Sequence, residues 1–249
     1  MRLESNHLFI PASLESSRLP CKLLRTFGGK TVLQHTYERA CAASVGLAHW
    51  PVIVTDSPEI QRLAPKMDDE GGATVLYMEG DFCNGSERTA AACSPLEPQD
   101  IIVNIQGDEI GVTPAAVRGV IEAIELGAMV ATAATPCQFA DAMTPDTVKV
   151  VCDETFRALY FSRSLLPWSG QRGAPETSWL WHIGIYAARA ASFGNYARWG
   201  QCRLEKVEGL EQLRWLYHGI PVFVCVVGQH GRSVNTELDL LNLQKEYVE

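Results

Sequence analysis

The chain has 249 residues, 47% of them apolar, and a formal net charge of −8. That length and apolar content suit one large folded domain and exclude a disordered chain. The negative charge disfavours non-specific nucleic-acid binding, which needs a basic face, and no apolar run approaches the roughly 18 residues of a membrane helix.

Met1 to His7 contains no apolar stretch of the kind a secretory leader needs, so a cytoplasmic protein with no membrane insertion is expected. The 8 cysteines are scattered, with no C-x-x-C pair. That spacing fits neither a zinc site nor a disulfide framework, and reduced thiols are expected.

The first predicted strand is His7–Ala12. A Ser-rich loop follows, and Arg18, Lys22, Arg25 and Lys30 make a local basic island with no acid between them. A helix is predicted from Thr31 to Ser44, with Val32, Leu33, Tyr37, Ala40 and Cys41 on one side. Pro51–Asp56 is a second buried strand. Asp56-Ser57-Pro58-Glu59 reads as a helix start, which Gly71-Gly72 later breaks. Ala73–Tyr77 is the third strand.

Ile101–Ile105 is nearly uninterrupted apolar sequence, as in a central strand covered on both faces. Thr113-Pro114 opens a helix to about Leu126. Further strands are expected at Met129–Ala133, Val148–Cys152, Leu159–Ser162, His182–Tyr186 and Pro221–Val227. Ser169–Pro175 reads as a loop, Leu204–Leu216 as one helix, and a last helix starts near Thr236. The alternation of strands and helices predicts an α/β fold, with about seven strands in a central, mostly parallel sheet and helices on both faces. Ligands then belong beyond the carboxyl ends of the strands, in the loops after Ile10, Thr55, Tyr77 and Ile105.

Several of those loops carry chemistry. Arg18 and Lys22 can neutralise phosphates or be ordinary surface cations; taken alone the two readings are even. No G-x-G-x-x-G and no Walker motif is present. Asp108 closes the most apolar strand, where a hard oxygen can hold Mg²⁺ beside a triphosphate. Asn84-Gly85-Ser86-Glu87-Arg88 places an Arg beside a helix start, a site that attracts anions. His182 opens a strand. Glu208 and Gln212, four apart on the expected helix, would face one pocket.

Taken together and in order, these segments resemble the 3-deoxy-manno-octulosonate (Kdo) cytidylyltransferases. The carrying pieces are Ile10-Pro11-Ala12, Ser17-Arg18-Leu19-Pro20, Asn84–Arg88, Val103–Glu109, Val148–Val151, Ala158–Arg163, His182–Tyr186 and Leu210–Arg214. The resemblance implies a Rossmann-like nucleotide-diphospho-sugar transferase fold over residues 1–249. A smaller sugar-site and dimerisation subdomain at about 140–199 and a homodimer go with it. It also implies transfer of CMP from CTP, with Mg²⁺, to the anomeric hydroxyl of a 2-keto sugar acid, for cell-surface glycan synthesis. By the same resemblance Arg18 and Lys22 hold phosphates, and Pro11, Ala12, Ser13, Asp56, Gly85 and Ser86 belong to the nucleotide site. Arg88, Gln106, His182, Glu211 and Gln212 would line the sugar-acid pocket, and Asp108 with Asn235 would be the metal positions.

The chain departs from the family pattern at identifiable places. Ser13 stands where the family has Arg, Cys21 where it has Gly, and Leu23 and Ile110 where it has Pro. Val234-Asn235-Thr236-Glu237 replaces Val-Asp-Thr-Pro, so Asn235 lacks the second metal-binding carboxylate. Losing one charged contact costs about 1.5–3 kcal/mol. Three outcomes stay open at this level: a slow Kdo enzyme, an enzyme for another keto sugar acid, and a catalytically impaired nucleotide-binding paralogue.

Overall fold

The computed structural model describes residues 5–16, 18–64, 72–168, 179–228 and 233–246. The Ser169–Pro175 loop, Ser17 and Gly71 of the sequence reading lie outside them. The elements in chain order are β1 (Asn6–Ala12), β2 (Thr26–Phe27), β3 (Lys30–Thr31), α1 (Val32–Ser44), β4 (Val52–Thr55), α2 (Pro58–Leu63), β5 (Thr74–Tyr77), α3 (Gly85–Ala92) and β6 (Ile101–Ile105). They continue with α4 (Pro114–Glu125), β7 (Val130–Cys137), α5 (Phe139–Ala142), β8 (Lys149–Cys152), β9 (Ala158–Ser162), β10 (Trp179–Arg189), α6 (Ala190–Trp199), α7 (Arg203–Glu208), α8 (Leu213–Tyr217), β11 (Val222–Val226) and α9 (Glu237–Glu246).

Among the described residues the main sheet has nine strands rather than about seven: seven run in the order β11-β7-β10-β6-β1-β4-β5, and β8 joins β10 to β9 beside them. β1 pairs parallel with β4 and β6, and β4 with β5. β10 enters antiparallel between β6 and β7, so the sheet is mixed but mostly parallel. Every residue of β6 is buried, as its apolar run requires. Side chains of β1 alternate between two cores. Leu8, Ile10 and Ala12 meet α1 and α4 on one face, while Phe9 packs with α3, α6 and Trp215 on the other.

Local signals explain the helix starts. Thr31, Ser57, Asn84 and Thr113 each accept a hydrogen bond from the backbone N–H three residues on. Each thereby satisfies a donor that the first turn leaves open. Pro58 and Pro114 occupy first-turn positions where no donor is needed.

Three further expectations change. The segment Leu204–Leu216 is two short helices, because Gly209 caps α7 with φ 63°, a left-handed conformation that ends a helix. Glu208 and Gln212 therefore do not share a pocket. Glu208 accepts from Ser162 Oγ at 2.8 Å and Arg163 N at 3.1 Å, while Gln212 faces Tyr186. β10 extends beyond His182–Tyr186 at both ends, since its first half also pairs with β8 and its second half lies in the sheet centre.

Candidate active site

The loops after β1, β4, β5 and β6 leave the same edge of the sheet, where strand ends and helix N-termini gather. The loop after β1 carries Ser13, Arg18 and Lys22. Its 3-10 turn Lys22–Leu24 starts from Cys21, whose φ of 51° is left-handed. Glycine adopts that conformation without steric cost, which is the physical sense of the family's Gly here. Leu23 is buried against Gly107, and Ile110 packs on the main core.

Two cavities open at this edge. The smaller, about 250 Å³, is lined by Pro11, Ser13, Lys22 and Arg88. The larger, about 360 Å³, is lined by Arg18, Arg163, His182, Glu211, Gln212 and Asn235. Asn84, Gly85, Gln106 and Asp108 face both. Their shared wall has no room for another atom: a Cβ on Gly85 would stand 2.9 Å from Gln106 Oε1 and from Pro11 Cγ.

In the smaller cavity the Lys22 ammonium pairs with the Asp108 carboxylate. Arg88 is almost fully buried, donates from Nη2 to Asp56 Oδ2 at 2.8 Å, and lies 4.8 Å from the Phe82 ring centre. Its Nη1 is buried with no partner. A buried guanidinium N–H left open is costly, so the geometry suits an acceptor-bearing ligand. Asp56 holds Arg88 rather than facing the cavity. Ala12 is buried in the core. Ser86 is also buried and contributes its backbone N–H to Glu211 Oε2 at 3.0 Å.

The larger cavity is polar and partly preformed. Glu211 Oε1 accepts from Gln106 Nε2. Burial pushes the Glu211 carboxyl up to about 7, against the opposing pull of its hydrogen bonds from Ser86. Gln212 accepts from Tyr186 Oη at 3.0 Å, and its buried Nε2 has no partner. His182 Nε2 lies 2.9 Å from Thr132 Oγ1, whose hydroxyl donates to Ile185 O at 2.7 Å. With that hydroxyl hydrogen committed, Nε2 is the donor. Arg163 donates from Nη1 to Pro145 O at 3.0 Å. Burial, and then the nearby Arg18 charge, lower its pKa. Arg18 bridges the Asp146 carboxylate and Asn235 Oδ1.

Behind this wall Arg214, fully buried, forks onto Glu205 at 2.7 and 2.8 Å and reaches Glu87 Oε1 at 2.7 Å. Glu205 in turn accepts from Asn84 Nδ2 at 2.7 Å. The network fixes the N-terminus of α3 against α7 and α8.

The structure thus separates residues that the sequence reading grouped. Arg88 lies with Ser13 and Lys22 in the smaller cavity, apart from His182, Glu211 and Gln212. The basic island is paired throughout: Arg18 with Asp146, Lys22 with Asp108, Arg25 with Glu237 and Lys30 with Glu38. Arg163, Tyr186 and Asp146 were missed as site residues. Arg163 closes a strand segment already singled out, and a cation there was a usable signal. Asp146 sits in Thr144-Pro145-Asp146-Thr147, which reads as an ordinary turn.

A mixed sheet with two adjoining polar cavities at its carboxyl edge is an α/β arrangement that can hold two polar ligands side by side. Residues 8–222 match the family model described as Cytidylyltransferase. The chain is 36% identical to the 3-deoxy-manno-octulosonate cytidylyltransferase of Gemmatimonas aurantiaca, over 93% of this chain and 90% of that protein. It is 37% identical to the Marinomonas sp. enzyme of the same name, over 96% and 94%. A solved structure of CMP:2-keto-3-deoxy-manno-octonic acid synthetase complexed with CTP superposes with TM-score 0.84 at 32% identity, covering 98% of this chain and 99% of that one. The 4-diphosphocytidyl-2C-methyl-D-erythritol synthase of Anaerococcus prevotii, 12% identical with TM-score 0.64, shares the fold. The chain belongs to the 3-deoxy-manno-octulosonate cytidylyltransferase family.

Proposed function

We propose that this protein transfers CMP from CTP to the anomeric hydroxyl of Kdo, releasing pyrophosphate. The observation that carries the reading is the shared wall: Gly85, Gln106 and Asp108 face both cavities, so ligands in the two can meet there. The smaller cavity takes the nucleotide, with Lys22 and Arg88 as its cations, and its triphosphate reaches past the shared wall at Asp108 toward Arg18 and Asn235 in the larger one. The larger takes the sugar acid, with Arg163 and Gln212 as donors and His182 on its wall.

The anomeric oxygen forms a bond to the α-phosphorus, and the bond from that phosphorus to the bridging oxygen of the diphosphate breaks. The hydroxyl proton passes to solvent water and the diphosphate leaves with the bond's electron pair. Such transfers depend on positioning and charge neutralisation. Arg18 and Lys22, now on carboxylates, are placed to exchange them for phosphate oxygens. Glu211, with its carboxyl near 7, accepts hydrogen bonds from sugar hydroxyls when ionised and donates one when protonated.

Among the described residues no group of three or more His, Cys, Asp or Glu side chains is arranged to hold a metal. Magnesium does not need one, because it binds through one or two carboxylates plus substrate phosphates and water. Asp108 and the amide oxygen of Asn235 line one cavity and fit that mode. Bound there, the ion would neutralise charge on the triphosphate.

No helix among the described residues is long and apolar enough to cross a membrane. A homodimer, with the segment at about 140–199 contributing, belongs to the same reading. Pyrophosphate release on mixing the protein with CTP, Mg²⁺ and Kdo tests the function. CTP binding without turnover on Kdo or any related acid would leave a nucleotide-binding module instead.

A further inference from the structure

Resting on that reading, we propose that Asp146 is the second carboxylate of the divalent-cation site, acting opposite Asp108 where Asn235 brings only a neutral oxygen.

Position is the first argument. One planar guanidinium, that of Arg18, donates to the Asp146 carboxylate through Nη1 and to Asn235 Oδ1 at 3.0 Å through Nη2. The two acceptors are therefore neighbours. Val234 N donates to Asp108 O at 3.2 Å, which sets the Asn235 segment beside Asp108. Asp108, Asp146 and Asn235 all line the larger cavity.

The second argument is how Asp146 is held. Lys149 is fully buried, and its ammonium donates to Thr144 O at 2.9 Å, Thr147 O at 2.5 Å and Arg163 O at 2.6 Å. Arg163 donates to Pro145 O. The turn bearing Asp146 is thus fixed by the buried Lys149 and the half-buried Arg163. The Arg18–Asp146 pair itself has side chains 40% and 43% exposed, and pairs that open contribute little to stability. A buried lysine committed to three carbonyls is a costly support for a surface pair, but a suitable one for a preorganised ligand.

Charge is the third argument. Asp108, Glu109, Asp146 and Glu211 line this cavity against Arg18, Arg163 and the Lys22 that pairs with Asp108, while Glu205 is already matched by Arg214. The buried, unpartnered Nε2 of Gln212 lines the same space, an independent mark of an acceptor-bearing ligand. An anionic ligand that draws Arg18 and Lys22 off Asp146 and Asp108 leaves two hard carboxylates, which favour a divalent cation.

The test uses Mn²⁺, followed by electron paramagnetic resonance, with the full chain alone and with CTP. The variants are Asp146→Asn, Asn235→Asp and the double exchange, each checked for an unchanged melting temperature. CTP binding in EDTA is titrated separately. Asp146→Asn should weaken Mn²⁺ about tenfold or more, the usual effect of losing one charged contact. The double exchange, which moves the charge to the adjacent position, should recover most of that loss. Mn²⁺ binding to Asp146→Asn equal to the parent, or a double exchange as weak as that variant, overturns the proposal. So does tighter CTP binding with unchanged Mn²⁺ binding, which would make Asp146 only the resting partner of Arg18. Absence of CTP binding to the parent both in EDTA and with Mn²⁺ would instead sink the nucleotide reading, while Mn²⁺ titration of the chain alone still decides on Asp146.

Discussion

Arg88 Nη2 donates to Asp56 Oδ2 at 2.8 Å, joining the first turn of α3 to the end of β4. That contact leaves Nη1 as an open, buried donor in the smaller cavity. Arg88→Lys keeps the charge but cannot serve Asp56 and a ligand through one planar fork. We expect CTP affinity to fall about tenfold and Kdo affinity to change much less. Separate calorimetric titrations decide it. A larger loss for Kdo would return Arg88 to the sugar-acid pocket.

Glu211 carries a pH prediction. Its carboxyl is raised from 4.5 to about 7 in the folded protein, chiefly by burial. Between those values the folded state holds a proton that the unfolded chain has lost, so stability falls as pH rises through that window and levels off above it. Glu211→Gln cannot ionise, so relative to the parent it should gain stability between pH 5 and 8, on the order of 1–3 kcal/mol. Urea melts across that range supply the measurement. A stability difference independent of pH would place the titration elsewhere.

Arg214 should dominate stability. Arg214→Met strands Glu205 and Glu87 beneath the active site, and breaking a buried pair from one side costs about 3–5 kcal/mol. Arg214→Lys should lose less, since it keeps the charge and forfeits the fork. Denaturant unfolding that left either variant within measurement error of the parent would contradict the network's importance.

Ser13 lines the smaller cavity opposite Lys22, and its hydroxyl only accepts from Glu15 N at 3.2 Å. Ser13→Arg adds a cation where the family carries one. We expect kcat/KM for CTP to rise roughly tenfold, the scale of one charged contact. Steady-state pyrophosphate assays test it. A fall would show that the loop, with Cys21 in a left-handed conformation and Leu23 packed on Gly107, has adapted to a neutral residue.

Much of the fold was legible because its signals are local. The apolar run of β6, the two-faced pattern of β1 and the caps Thr31, Ser57, Asn84 and Thr113 each report on a few neighbouring residues. The break at Gly209 was less visible. A glycine is tolerated inside many helices, and only the turn into α8 required its positive φ. The length of β10 was hidden for a similar reason, since its extra residues are set by partners β6, β7 and β8, far away in the chain.

By itself the sequence determined the α/β alternation, the mostly parallel sheet and the loops where the chemistry gathers, because periodicity and capping act over a handful of residues. It also carried the ordered motifs that mark the family. Only the tertiary structure decided which charged groups meet. Arg18 reaches Asp146 and Asn235, Lys22 reaches Asp108, and Arg88 turns to Asp56 rather than toward His182. Electrostatic pairing and burial depend on through-space distance and local dielectric, and segments more than a hundred residues apart contribute to both. Asp146 shows the difference: in the chain it is an unremarked turn residue, and in the fold a carboxylate that lines the larger cavity.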